Sequence, residues 1–317
     1  MTALLIIAIA VVLGIVLLAR IPGEAMWAAD LTNFAHGPAF AVVTVLLFKV
    51  LRRGPTRQSP VLPEYLLVAL MALALGALVE LVQGRIGRDA SFDDLVRDAQ
   101  GTLGALGFMM LLDPKLRGSK RLRRARYAGL LLALTGVALL MWPLIVSGLA
   151  YRDREQNFPV LVDFDRPSST YFLHPLAGVK LQRRRLPPTL AGHAQESHAL
   201  WVKARPGSWW GLTLREPVPD WRHFERLAIT VANPSPEVLQ LELRVYDLVR
   251  KDGTDVRFTT TLEIPPLSWR TNLVPLASMK VNSESGGVDL AQVHSLMLAR
   301  KGDSHDVEFY LVRLWLE

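Results

Sequence analysis

The stretch VELVQGRIGRDASFDDLVRDAQG, residues 79–101, holds five carboxylates, three arginines and two glutamines at the junction of two strongly apolar runs. An ionisable side chain at the centre of a bilayer costs about 2.5–3.5 kcal/mol on insertion scales, so such groups face a helix-bundle interior or a water-filled cavity. Whether this stretch is a loop at a membrane surface or the linker of a soluble protein decides how the first half of the chain folds.

Five apolar segments surround it, at about 3–19, 37–51, 62–82, 99–112 and 128–150. A spanning helix needs roughly 20 mostly apolar residues. The first, third and fifth segments meet that length, and the second and fourth reach it if polar helix ends such as Asp98 and Gln100 extend into the interface. The expectation is a bundle of about five transmembrane α-helices over residues 1–150. Segment one lacks a basic leader and a small-residue cleavage site, so it reads as a retained helix rather than a secretory signal.

Charge sets the expected orientation. The link after segment two carries Lys49, Arg52, Arg53 and Arg57, and the link after segment four carries Lys115, Arg117, Lys120, Arg121, Arg123, Arg124 and Arg126. Short Lys/Arg-rich loops resist translocation, which puts both links and the N-terminus in the cytoplasm. The links at about 20–36 and 83–98 and the whole chain after segment five then lie outside, at a bacterial inner membrane with an extracytoplasmic C-terminal domain. The net charge of +7 is on this reading an orientation signal. KLRGSKRLRRARY, residues 115–127, needs no nucleic-acid partner to explain it.

Helical spacing gathers the polar residues. Glu80 and Gln83 are three apart, Asp94 and Asp98 four apart on one stripe with Gly101, and His36 opens segment two. Arg88 and Arg97 are the counter-charges, and Arg88 offers a two-pronged donor to a carboxylate or phosphate. Ser91 stands as N-cap of segment four with Asp94 three residues on. The candidate ligand-binding set is therefore His36, Glu80, Gln83, Arg88, Ser91, Asp94 and Asp98. The competing structural reading is a latch that holds helices together. Gly101, Gly104 and Gly107 allow close backbone approach, and the expectation is that they bring segment four against segments two and three.

Over about residues 1–115 these positions resemble the VanZ-like family of membrane proteins: His36 opening a helix, Glu80-x-x-Gln83 ending the next, then Arg88, Ser91, Asp94, Asp98 and Gln100-Gly101-x-x-Gly104. The chain departs from that pattern at Thr32 and Asn33, where an Asp-Lys pair is frequent, and at Gln100, where asparagine is. The resemblance implies a cell-envelope role, in a family named for glycopeptide antibiotic resistance, and supplies no reaction.

From about 158 the pattern changes to nine short runs: VLVDF, HALWVKA, WWGLTL, LAITVA, LQLELRVYDL, FTTTLEI, RTNLVPL, HSLMLAR and VEFYLVRLWL. Short β-branched and aromatic runs divided by Pro, Gly, Asn and Asp predict an all-β jelly-roll sandwich over 151–317. LVDFD, PDWRHFERLAITVANPSP and FYLVRLWLE resemble the opening strand, the tryptophan-bearing turn and the closing strand of galactose-binding-like carbohydrate-binding modules.

Trp209 and Trp210 are adjacent and on a strand would point to opposite faces, so one enters the core while the other is covered by a loop or left to stack on a sugar ring. Trp201, Trp221, Trp269 and Trp315 read as core or edge residues. QRRRLPPTL, residues 182–190, reads as a basic proline-containing loop, either simply solvated or set to meet anionic headgroups or an acidic polysaccharide, and no role is assigned to it.

The chain has no cysteine, which excludes disulfides and thiolate chemistry. The histidines of the second half lack zinc-site spacing, and no nucleophile elbow or Ser-His-Asp order is present. No catalytic or metal residue and no cofactor is assigned from the sequence. The expected function is an envelope protein whose membrane pocket binds an amphiphile such as a lipid-linked saccharide and whose outer domain binds glycan or a protein. The alternative is a membrane hydrolase or transferase acting on a lipid phosphate or ester. In it His36 or Glu80 is the general base, Arg88 stabilises negative charge, and Asp94 or Asp98 orients the histidine or a metal.

Overall fold

In the computed structural model the described residues are 2–18, 25–52, 61–86, 91–117, 120–176, 178–187, 190, 198–205, 210–247, 257–281, 287–300 and 306–317. The chain divides into two compact units, Met1–Ser147 and Gly148–Glu317.

The first unit is helical. Its helices are α1 (Thr2–Leu18), α2 (Met26–Phe34), α3 (His36–Leu51), α4 (Val61–Arg85), α5 (Phe92–Leu112) and α6 (Lys120–Asn157), the last crossing the unit boundary in sequence. Among the described residues three helical stretches are long and apolar enough to cross a membrane: Met26–Leu51, Leu62–Arg85 and Leu122–Asn157. α1 is apolar but shorter, and α5 carries Asp93, Asp94, Arg97 and Asp98 in its first two turns. The segment expected at 37–51 is thus lengthened by α2, which lies in what reads from sequence as a link.

α3 is the hub of this unit. Phe40, Val43, Leu47 and Phe48 are buried, with Val68 and Ala72 of α4 and Leu106 of α5 also in the core. A β-carbon built on Gly101 would lie 2.6 Å from the Gly37 carbonyl carbon and 2.8 Å from its α-carbon, so α3 and α5 touch backbone to backbone. One built on Gly107 would meet Ala133 of α6, and one on Gly136 of α6 would lie 2.8 Å from the Gly104 nitrogen. The glycine stripe therefore faces two helices: Gly101 meets α3 as expected, whereas Gly104 and Gly107 meet α6 rather than α4.

The second unit is an antiparallel two-sheet sandwich. Its strands are β1 (Val160–Asp163), β2 (Leu173–Pro175), β3 (Val179–Arg184), β4 (Ala199–Ala204), β5 (Trp210–Arg215), β6 (Arg226–Asn233), β7 (Leu239–Asp247), β8 (Arg257–Ile264), β9 (Ser268–Pro275), β10 (Val293–Arg300) and β11 (Val307–Leu316), with a short helix α7 (Leu276–Val281) after β9. One sheet runs β3-β4-β11-β6-β9, with β1 pairing the second half of β11. The other runs β2-β5-β10-β7-β8.

Alternation puts Leu227, Ile229 and Val231 of β6, Leu241 and Leu243 of β7, and Leu296 and Leu298 of β10 into the shared core. All nine expected runs carry strands. Two further strands, β2 and β3, are present, and β3 takes in the first part of QRRRLPPTL, so residues 182–184 form a sheet edge instead of a free loop.

β11 departs from strict alternation. Its register against β6 shifts between Leu311 and Arg313, a bulge that inserts one residue. Before the shift Phe309 and Leu311 point inward, and after it Leu314 and Leu316 do, which leaves Tyr310, Arg313 and Trp315 on the outer face.

Candidate functional site

Helical geometry brings four of the seven expected polar residues together. His36 at the start of α3 and Asp98 on α5 are 5% and 0% exposed, with Nδ1 of His36 3.2 Å from Oδ1 of Asp98. A carboxylate oxygen accepts, so Nδ1 donates and Nε2 is the ring nitrogen left for another partner. Glu80, late in α4, is buried, and one ligand atom each from His36, Glu80 and Asp94 lie within 4.8 Å of one another. Asp94 is held by Arg97 at 2.6 Å, one turn along α5. Two buried oxygens here have no hydrogen-bond partner among the described residues: Oε1 of Glu80 and Oδ2 of Asp98. Gly76 of α4 makes room for Asp98, since a β-carbon there would sit 2.9 Å from Oδ2.

The other expected members behave differently. Ser91 occupies the N-cap position but makes no side-chain cap; its backbone N–H donates to Oε2 of Glu80 at 2.8 Å. Serine at 91 therefore contributes main chain, and the capping role expected of its hydroxyl is corrected. Gln83 is 2% exposed and its amide donates to the Val16 carbonyl of α1 at 3.4 Å, an interhelical tie. Arg88 lies outside the described residues.

A second polar knot, unforeseen from the sequence, sits at the opposite ends of α3 and α5. Arg52, read above only as an orientation signal, donates from Nε to Glu64 at 3.0 Å and from Nη2 to Asp113, which also accepts from the Tyr65 hydroxyl at 2.9 Å and the Lys115 N–H at 3.0 Å. Its guanidinium lies 4.1 Å from the centre of the Phe48 ring. Burial alone would raise the Asp113 carboxyl, but Arg52, with the Lys115 N–H and the Tyr65 hydroxyl, holds it below the usual carboxylate range. The signal available in sequence was the pairing of an arginine just past one helix with an aspartate just past another.

In the β unit, Trp210 is 1% exposed and stacks on Phe309 across the sandwich, with centroids 5.8 Å apart. A buried indole presents no face to a sugar, so the glycan contact considered for Trp210 is corrected to core packing. Trp209 lies outside the described residues.

The aromatic surface is instead on the outer face of the sheet containing β11. Cross-strand pairing sets Ala232 between Tyr310 and Trp269, and Ala228 between Trp315 and Leu273. The small residues of β6 leave a hollow between the larger ones. A cavity of 250 Å³ opens there, walled by Trp269, Trp315, Leu186 and Val312, floored by Thr230 and Thr271, and edged by Arg313. Trp269 is 40% exposed, the Thr230 and Thr271 hydroxyls are 2.8 Å apart, and the Arg313 guanidinium lies 5.3 Å from the Trp315 ring centre. Thr271 also lines a 530 Å³ groove with Thr259, Thr261, Arg270 and Asn272 on β8 and β9.

Trp269 and Trp315, read from sequence as core or edge residues, wall this cavity. Their convergence depends on strand order and on the β11 bulge, neither of which single-sequence alternation reveals.

No family model matches the chain, and no curated protein matches it, so the resemblance of the helical half to the VanZ-like family has no support from those comparisons. Solved structures similar to the C-terminal half include carbohydrate-binding modules. A family 11 carbohydrate-binding module from Clostridium thermocellum, in complex with a β-1,3-1,4-mixed-linked tetrasaccharide, is 14% identical over 45% of this chain and 86% of its own, with a TM-score of 0.36. A xylan-binding domain of family 22 is 12% identical over 49% of this chain and 90% of its own, at 0.35, and an exo-β-agarase is 19% identical over 50% and 24%, at 0.40. With superposition scores this low, the functional reading rests on the chain's own residues.

Proposed function

We propose that the protein is a membrane-anchored glycan-binding protein, with the sugar taken by the outer face of the β sandwich. The observation that carries this reading is the 250 Å³ cavity in which two indoles flank two threonine hydroxyls and a guanidinium. A pyranose has apolar C–H faces and a polar equator. Indole planes cover the first, and hydroxyl and guanidinium groups at the rim satisfy the second. The helical half acts as the anchor, oriented by its basic links so that the β domain lies on the extracytoplasmic side.

Binding of defined oligosaccharides by the full chain in detergent, measured by calorimetry, tests the proposal. Trp269→Ala and Trp315→Ala should each weaken binding by about tenfold or more, equivalent to about 1.4 kcal/mol. Trp201→Ala, outside the cavity lining, should not. Undiminished affinity in both cavity variants would remove the cavity from the binding site.

A further inference from the structure

We infer that His36, Glu80 and Asp94 form a binding site for one divalent transition-metal ion of the zinc type, with Asp98 as the orienting partner of the histidine. This inference is independent of the glycan reading, since it concerns only the helical unit.

Three observations carry it. The ligand-capable atoms of His36, Glu80 and Asp94 already lie within 4.8 Å of one another, from three different helices. A four-coordinate zinc ion with bonds of about 2.0–2.1 Å holds its ligand atoms somewhat over 3 Å apart, so modest side-chain rotation closes the set. Second, Glu80 is 92% buried by its 8% exposure, yet its Oε1 has no partner among the described residues while Oε2 is fixed by the Ser91 N–H. A buried carboxylate oxygen without a donor is costly, and a cation bound there removes that cost.

Third, Nδ1 of His36 is engaged by Asp98, which is the carboxylate–histidine arrangement that fixes the tautomer and leaves Nε2 as ligand. Charge points the same way. Three carboxylates and one imidazole meet here, and among the described residues the only lysine or arginine ion pair to any of them is Arg97 with Asp94.

One nitrogen and two carboxylates suit zinc or a neighbouring first-row ion better than magnesium or calcium, which prefer all-oxygen shells. Asp94 is the least buried of the three, its side chain 14% exposed, which leaves one side of the ion for water.

The test uses the full chain in detergent, stripped with a chelator and titrated with ZnCl2 against a chromophoric competitor, with MgCl2 and CaCl2 in parallel. The expected result is one equivalent of zinc, with one imidazole in its X-ray absorption spectrum and a rise in unfolding temperature that the chelator reverses. Glu80→Gln and Asp94→Asn should each weaken zinc binding at least tenfold, and Asp98→Asn by about 10–100-fold while the absorption spectrum keeps its imidazole. The wild-type spectrum and reversible shift decide the matter even if a variant fails to fold. Absence of zinc binding in wild type overturns the assignment, as does zinc affinity unchanged in Glu80→Gln and Asp94→Asn. Magnesium or calcium binding as tight as zinc overturns the choice of metal.

Discussion

Gly101→Ala tests whether backbone contact between α3 and α5 holds the polar cluster together. The new β-carbon would lie 2.6 Å from the Gly37 carbonyl carbon, and its three nearest neighbours are all Gly37 backbone atoms, so no side-chain rotation relieves the clash. Ordinary contact at roughly 3.4 Å or more requires the helices to part by about 1 Å. The His36–Asp98 bond, now 3.2 Å and one turn from Gly101, then stretches past 4 Å and ceases to be a hydrogen bond.

Overpacking of this kind costs about 1–3 kcal/mol, and loss of a buried hydrogen bond adds about 1 kcal/mol. For a unit of this size each kcal/mol lowers the unfolding temperature by about 2–4 °C, so Gly101→Ala should fall by about 5–15 °C in a detergent melt. Gly104→Ala is the internal control, because a β-carbon there meets nothing within 4 Å. It should be neutral or slightly stabilising, as glycine-to-alanine is in an unobstructed helix. Equal melting temperatures for the two variants, or a larger loss for Gly104→Ala, would refute the packing described here.

Arg52→Ala strands Glu64 and Asp113, whose side chains are 3% and 2% exposed, and should destabilise the helical unit by about 3–5 kcal/mol, read from its melt. Because the Asp113 carboxyl is held low in the folded state, its share of stability is present at neutral pH and is lost as pH falls through and below the ordinary aspartate range, near 3.9. An Arg52→Ala acid melt should lack that component. In the β unit, burial first and the Arg215 guanidinium second hold His174 below its ordinary value, so its unfolded form binds the proton more readily. Stability should therefore decline as pH drops below about 6.5, and His174→Asn should flatten that decline in a pH series of melts. Asn233 donates to the carbonyls of Glu237, Ile264 and Pro265 from a fully buried position; Asn233→Asp replaces that donor by an oxygen among oxygens and should cost about 3 kcal/mol or more, seen as a large drop in the β-unit transition.

Helical period made the meeting of His36, Glu80, Asp94 and Asp98 readable, because i, i+4 spacing on α5 and the position of His36 at a helix start are local properties. Strand runs were readable for the same reason, as each of the nine carries its own alternation. What escaped the sequence was pairing. Arg52 already had an explanation in membrane orientation, so nothing in its neighbourhood announced Glu64 or Asp113 as partners. β3, with Lys180, Gln182, Arg183 and Arg184, has the polarity of a solvated loop because an edge strand keeps one side wet. Trp269 and Trp315 lie on β9 and β11, which flank β6 on either side, and only strand order shows that they look across the same small residues.

The extra residue in β11 sets a reading frame. Deleting Val312 would restore simple two-residue periodicity with Leu314 and Leu316 still inward and Arg313 and Trp315 still outward, so what the extra residue adds is the Val312 wall of the cavity and a local bend in the strand. Flattening the bulge with every residue kept would instead swing Trp315 inward and Leu314 out, exchanging an indole for an aliphatic chain on the wet surface. Relatives of this chain that keep the aromatic surface are expected to have both the bulge and its extra residue or neither, whatever side chain stands there.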